Sequence, residues 1–190
     1  VKQIKRDTFE RADKIICIDH PWYKKGYIQN EVKKIPKWVI LINRKIFLNK
    51  SKKFNSFKKV FLDRSTSRFN HCKIFNQGSL NDWLKKNRFG IYKPERLSQE
   101  KQIYLFRNSS IILGAHGAAL TNIIFCKPGT KVIEIIPADH PNKKCERISK
   151  ILKLRYFRIK TKPDNSDKNF PFKIHLNKRH LKIINDKINL

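Results

Sequence analysis

The chain has 190 residues and carries 44 Lys and Arg against 15 Asp and Glu, a formal charge of +29, with 39% apolar residues. That length suits one full domain and the edge of another, and a domain of this size buries about 70% of its unfolded surface, so it needs no disulfide or metal staple. No apolar run approaches the ~20 residues of a membrane span, and no N-terminal signal pattern is present.

The four cysteines, Cys17, Cys72, Cys126 and Cys145, show no C-x-x-C and no paired Cys/His spacing. That argues against zinc and a disulfide framework and fits a reducing compartment. Methionine is absent, even at position 1, so the chain reads as a fragment of a longer protein. The positive charge has two readings. It is the footprint of a nucleic-acid or anionic-membrane partner, or it reflects a composition rich in Lys, Ile, Asn and Phe, since the charges run along the whole length.

In chain order, "DKIICI" (13–18) reads as a short buried strand and "IPKWVILINRKIFL" as a helix with Pro36 in its first turn. The basic stretch "NKSKKFNSFKK" reads as a linker near a domain boundary. This gives an N-terminal part (1–50), an α/β domain (59–160) and a C-terminal polar segment with a helix (161–190). Within the domain the expected strands are 59–63, 90–93, 111–114, 131–137 and 155–160. The expected helices are 79–89 with Ser79 as N-cap, 99–109 with Ser98 as N-cap, 117–125 and 143–153. A last helix is expected near 178–188. Alternating strands and helices predict a doubly wound, Rossmann-like parallel sheet. In such sheets ligands sit beyond the carboxyl ends of the strands.

That rule sorts the polar residues. Arg64 follows the strand at 59–63, with Arg68 farther along its loop. "GAHGAA" (114–119) follows the strand at 111–114, and Glu134 lies near the end of the strand at 131–137. A helix that begins with small residues exposes free N–H groups and the positive end of its dipole, which attract phosphate. Gly114 would take positive φ for the turn, and Gly117 and Ala118 would let a diphosphate approach the backbone. The same small residues also serve tight helix–sheet packing. His116 is either a phosphate donor or base, or a satisfied histidine at a helix start. Arg64 and Arg68 are either diphosphate clamps or surface cations. Glu134 either accepts ribose hydroxyls or pairs with a lysine. Asn122 supports the corner by tying a neighbouring loop. No Asp-x-Asp and no G-x-x-x-x-G-K-[ST] occurs, so no metal ligands and no P-loop are indicated.

The ordered stretches "IPKWVILINRKIFL", "KVFLDR…SR", "KIFNQGSLNDWL", "YKPERLSQEKQIYLF" and "SSIILGAHGAALTNIIFCKPGTKVIEIIP" resemble family 61 of the glycosyltransferases, including capsular-polysaccharide-biosynthesis-type proteins, over about residues 35–137. The resemblance implies a two-domain GT-B-type architecture, of which this chain is mainly the donor-binding C-terminal domain. It implies inverting, metal-independent transfer of a sugar from a nucleotide-sugar donor to a glycan or polysaccharide acceptor, with no cofactor. It also implies a cytoplasmic, bacterial setting, at or near the inner face of an anionic membrane. His116 would then be catalytic, with Arg64, Arg68, Gly114, Gly117 and Ala118 at the diphosphate and Glu134 at the ribose. Lys73 competes with Arg68 for the second cationic position. The alternatives are a basic nucleic-acid-binding module, which leaves the glycine corner unexplained, and a noncatalytic nucleotide-sugar-binding protein.

Overall fold

The computed structural model describes residues 35–66, 71–162 and 172–190. The expected strand at 13–18, Arg68 and most of the polar segment at 161–169 lie outside the described residues.

Among the described residues, five strands form one sheet: β1 (Lys59–Leu62), β2 (Gly90–Tyr92), β3 (Ile111–Ala115), β4 (Lys131–Pro137) and β5 (Arg155–Thr161). Every pairing is parallel and the spatial order is β2-β1-β3-β4-β5. The helices are α1 (Lys37–Phe47), α2 (Gln77–Lys86), α3 (Gln99–Asn108), α4 (Lys144–Leu152) and α5 (Lys178–Asn189), with a 3-10 helix at Ala118–Phe125.

Period-two alternation along buried strands makes two apolar faces, each needing a cover. Val60, Leu62, Ile112 and Val132 pack with Ile103 and Phe106 of α3, Leu120 and Ile123 of the 3-10 helix, Ile148 of α4 and Ile40 of α1. Phe61, Leu113, Ile133, Ile135 and Ile159 pack with Leu80 and Leu84 of α2 and Ile184 and Ile188 of α5. The result is a three-layer α/β/α arrangement, as the alternation of elements predicts. Helix α1, ahead of the basic linker, is docked on this body, because Ile40 is 2% exposed and Arg44 donates to the carbonyls of Ile124 and Cys126.

The strand order creates the functional crevice. From β1 the chain leaves toward α2 on one face, and from β3 it leaves toward the 3-10 helix on the other. Connections that part to opposite faces leave a gap above the carboxyl ends of two adjacent strands. Here that gap lies between β1 and β3, the strands that lead into Arg64 and His116-Gly117.

Three local expectations differ from what forms. Helix α2 begins at Gln77, with Asn76 rather than Ser79 at its N-cap, and Asn76 makes no capping bond. Its side chain instead brackets Leu176, donating to that residue's carbonyl and accepting its N–H at 3.0 Å. The run 118–125 is a 3-10 helix rather than an α-helix. Strand β3 extends through Gly114 to Ala115, so Gly114 is a strand residue and not a turn. The Ser98 cap forms as expected, accepting from the Lys101 N–H at 3.4 Å.

Candidate active site

Two turns build the site. After β1, buried Asp63 accepts the Ser65 N–H at 2.7 Å and the Ser65 hydroxyl at 3.0 Å, an Asx-type turn, with Lys93 Nζ 3.7 Å away. This turn carries Arg64 across the crevice. Its guanidinium lies directly on Gly117, where an added Cβ would stand 1.1 Å from Arg64 Nη1. Arg64 Nη2 donates to the His71 carbonyl at 3.1 Å. The buried Arg64 Nε has no hydrogen-bond partner among the described residues.

After β3, the His116 N–H donates to the Ile135 carbonyl at 2.8 Å, which continues the sheet's bonding past the strand end. The His116 side chain is 5% exposed, and its Nδ1 lies 2.6 Å from Glu134 Oε1. Glu134 Oε2 accepts from the Tyr156 hydroxyl at 2.5 Å. Burial works to raise the Glu134 carboxyl, but bonds from His116, Tyr156 and Cys145 outweigh it and hold it below the usual range. The carboxylate is therefore charged at neutral pH, so the His116 Nδ1–H points at it and Nε2 is the ring's second site for a proton. Burial, then the charge of Glu134, raises the Tyr156 hydroxyl, so Tyr156 remains a donor.

Sheet register explains why these groups meet. Leu62, Gly114, Glu134 and Arg158 share one row across β1, β3, β4 and β5. Arg64 and His116 each stand two residues beyond that row. The structure thus brings Arg64, His116 and Gly117 together and sets Glu134 beneath them.

Several assigned roles change. Glu134 is 1% exposed, and its two oxygens face His116 Nδ1 and the Tyr156 hydroxyl, which leaves the expected ribose contact no exposed oxygen. Gly114 has no positive φ. A Cβ there would meet the Leu62 Cβ at 3.1 Å, so its smallness serves strand packing. Gly117 has φ 162°, extended backbone open to any residue, and its lack of a side chain accommodates Arg64 rather than directly admitting a ligand. Ala118 is exposed at the start of the 3-10 helix, where N–H groups lack intrahelical partners. Asn122 donates to the Gln102 side chain at 2.8 Å, and Gln102 holds the carbonyls of Pro94 and Leu97 at 2.9 and 3.0 Å. Through Gln102, Asn122 is tied to the β2–α3 loop.

Sequence reasoning passed over His71, His140 and Tyr156. His71 and His140 sit in the loops after β1 and β4, so applying the strand-end rule to every histidine would have found them. Tyr156 lies inside β5, and only the register places it beside Glu134. Ring nitrogens of His71, His116 and His140 all lie within 4.8 Å of one another, close enough to share a metal ion. His140 Nδ1 accepts the Asn142 N–H at 3.2 Å, which puts the neutral ring's hydrogen on Nε2, the nitrogen that faces His71. A second group, His116, Glu134 and Cys145, is fully buried, and burial, then Glu134, pushes the Cys145 thiol well up. A cavity of about 490 Å³ lies off the end of β5, lined by Lys160, Lys162, Asn177 and Arg179 among others, and none of the crevice residues borders it.

A family model described as Glycosyltransferase 61 matches residues 10–133. The chain belongs to glycosyltransferase family 61. Among family relatives, it is 44% identical over 48 residues to the xylan glycosyltransferase MUCI21 of Arabidopsis thaliana, covering 25% of this chain and 10% of that protein. It is 31% identical over 87 residues to a beta-1,2-xylosyltransferase of the same plant, covering 41% of this chain and 16% of that one. Similarity to the beta-1,2-xylosyltransferase RCN11 of Oryza sativa subsp. japonica is 33% over 63 residues, covering 33% and 12%. The chain thus spans about a tenth to a sixth of these relatives. The family match takes in Arg64, His116, Gly117, Ala118 and Asn122 and stops one residue before Glu134. Among the described residues, no helix is long and apolar enough to cross a membrane.

Proposed function

We propose that this family 61 chain is the donor-binding part of an inverting, metal-independent glycosyltransferase. The donor is a nucleotide sugar and the acceptor a glycan or polysaccharide. A pentosyl donor such as UDP-xylose is favoured, because two of the relatives are named xylosyltransferases. The observation that carries the reading is Arg64 laid against Gly117 at the β1/β3 crevice, with His116 fixed beside it by Glu134.

In an inverting transfer the acceptor oxygen attacks the anomeric carbon as the bond to the diphosphate oxygen breaks. The acceptor passes its proton to a base, and negative charge builds on the leaving diphosphate. Groups fixed in advance around that charge lower the barrier. Arg64 offers a permanent cation, the 3-10 helix start at Ala118 offers unpaired N–H groups, and His116 Nε2 holds or gives a proton at the leaving oxygen. Glu134 and Tyr156 keep the imidazole in place, a positioning role. With these donors present, the reading requires no divalent ion.

The test is titration calorimetry of UDP with the chain. Loss of one charge-assisted bond, worth about 1.5–3 kcal/mol, should weaken UDP binding by Arg64→Ala roughly ten- to a hundredfold. EDTA should leave binding unchanged. Equal binding by Arg64→Ala and the parent would remove the crevice from the donor site.

A further inference from the structure

Three imidazoles converge beside the crevice from separate elements: His116 after β3, His140 after β4 and His71 from the loop ahead of α2. The His116 and His140 ring centroids are 4.3 Å apart, His71 and His140 are 5.1 Å apart, and His71 and His116 are 6.1 Å apart. The Nε2 atoms of His71 and His140 are 3.0 Å apart. Phe172 closes the group, 4.8 Å from the His140 ring and 5.2 Å from the His71 ring. His140 is 8% exposed and His71 is half-buried.

The hydrogen bonds define the protons. Because His140 Nδ1 accepts the Asn142 N–H, neutral His140 donates its Nε2–H to the bare Nε2 of His71. Burial, and after it the surrounding charges, keeps both rings neutral. Arg64 reaches the His71 carbonyl from β1, and Arg158 donates from β5 to the His140 carbonyl at 2.7 Å. Cys72 neighbours His71, and burial pushes its thiol up to about 12, so it is uncharged. Asp139 precedes His140 in its loop. Glu134 of β4 is the nearby anion, and His116 and Tyr156 already engage it. Burial, then His116 and Arg64, lowers His71. Burial, then His116 and His71, takes His140 down to about 4, with Glu134 acting the other way.

We propose that His71 and His140 are part of the donor site and that binding of a nucleotide-sugar diphosphate draws one proton into this pair. The inference rests on the donor-site reading above. A proton added at His71 Nε2 sets two N–H groups against each other and opens the 3.0 Å contact. Both rings then become donors toward an anion. Burial and the two arginines oppose that proton in the free protein, and the two negative charges of a diphosphate ester supply the missing counter-charge. Arg64 couples the events, because the same guanidinium that lies in the crevice holds the His71 backbone. The site thus gains positive charge only when its ligand arrives.

The experiment is titration calorimetry of the full chain with UDP-xylose, whose esterified phosphates lack the titration that a terminal phosphate shows at pH about 6. Comparing buffers of different ionisation enthalpy at neutral pH counts protons. The expected result is uptake of about one proton, with affinity falling by up to tenfold per pH unit between about pH 6.5 and 8.5. His71→Gln and His140→Gln, checked for folding by circular dichroism, should each abolish the uptake and level the profile. The parent's own proton count decides the matter if a variant misfolds. Binding by the parent without proton uptake, or uptake that persists in the double variant, overturns the inference alone. Absence of UDP-xylose binding at every pH overturns the donor-site reading together with it.

Discussion

Gly117 and Arg64 occupy one space, and that fact makes an unusually sharp prediction at the scale of the residue. A methyl group at Gly117 would overlap the guanidinium, so Gly117→Ala should displace Arg64 and weaken UDP binding about as much as Arg64→Ala, roughly ten- to a hundredfold. In the Arg64→Ala background the same methyl should cost almost nothing more, and calorimetry on the four proteins reads this coupling directly. Fully additive losses would show that Gly117 acts on the ligand by itself. A second residue-scale prediction concerns acid. Burial, then His116 and His71, takes His140 down to about 4 in the folded chain, below its ordinary value of 6.5. A lowered folded value means that the unfolded chain binds protons first. The contribution is therefore whole above pH 6.5 and is lost as pH falls toward about 4. Melting temperature should decline over that window, and His140→Gln should flatten the decline. Arg64 and His116 were legible in the sequence because strand ends in a parallel sheet face ligands. The role of Glu134 was not, since one residue of register decides whether a carboxylate points at solvent or at a histidine. Gly117 was picked for the right place and the wrong neighbour, because the side chain that fills its space comes from 53 positions earlier in the sequence.

At the scale of the element, periodicity and capping chemistry fixed most boundaries within a residue or two. Ser98 caps α3 as its sequence context predicts, and Ser98→Ala should cost about 0.5–2 kcal/mol in chemical denaturation. Helix α2 teaches the opposite lesson. Ser79 and Asn76 rank alike as capping types, and the helix begins at the earlier one, whose side chain is drawn into two bonds with Leu176 at a distance of 100 residues. Asn76→Ala should therefore detach the segment leading into α5, costing about 1–3 kcal/mol through the unpaired backbone groups left behind. A loss of only a few tenths would show that the Ile74–Ile174 bridge and the Phe75–His175 stack hold that segment without Asn76. The 3-10 helix at Ala118–Phe125 was read as an α-helix because its apolar spacing is ambiguous. Its place against α3, α4 and α1 depends on tertiary contacts, not on local preference.

At the scale of the molecule, the alternation of strands and helices was enough to predict a parallel, doubly wound sheet, and the order β2-β1-β3-β4-β5 supplies the crevice that the alternation could not locate. The charge of +29 is spread along the chain, so it should act diffusely. Duplex DNA at ~0.15 M salt should bind no tighter than about 10⁻⁶ M and without sequence preference. Nanomolar, sequence-selective binding would make nucleic acid the partner. Among the described residues, the basic places open to an anionic ligand include the β1/β3 crevice with Arg64 and the cavity beside Lys160, Lys162 and Arg179. The most direct measurement is a crystal structure of the protein with UDP. The account predicts the diphosphate in the crevice, within hydrogen-bond distance of Arg64 and the Ala118 N–H, with His116 beside it. A diphosphate lodged instead against Lys160 and Arg179, with Arg64 still lying on Gly117 and untouched by ligand, would contradict it.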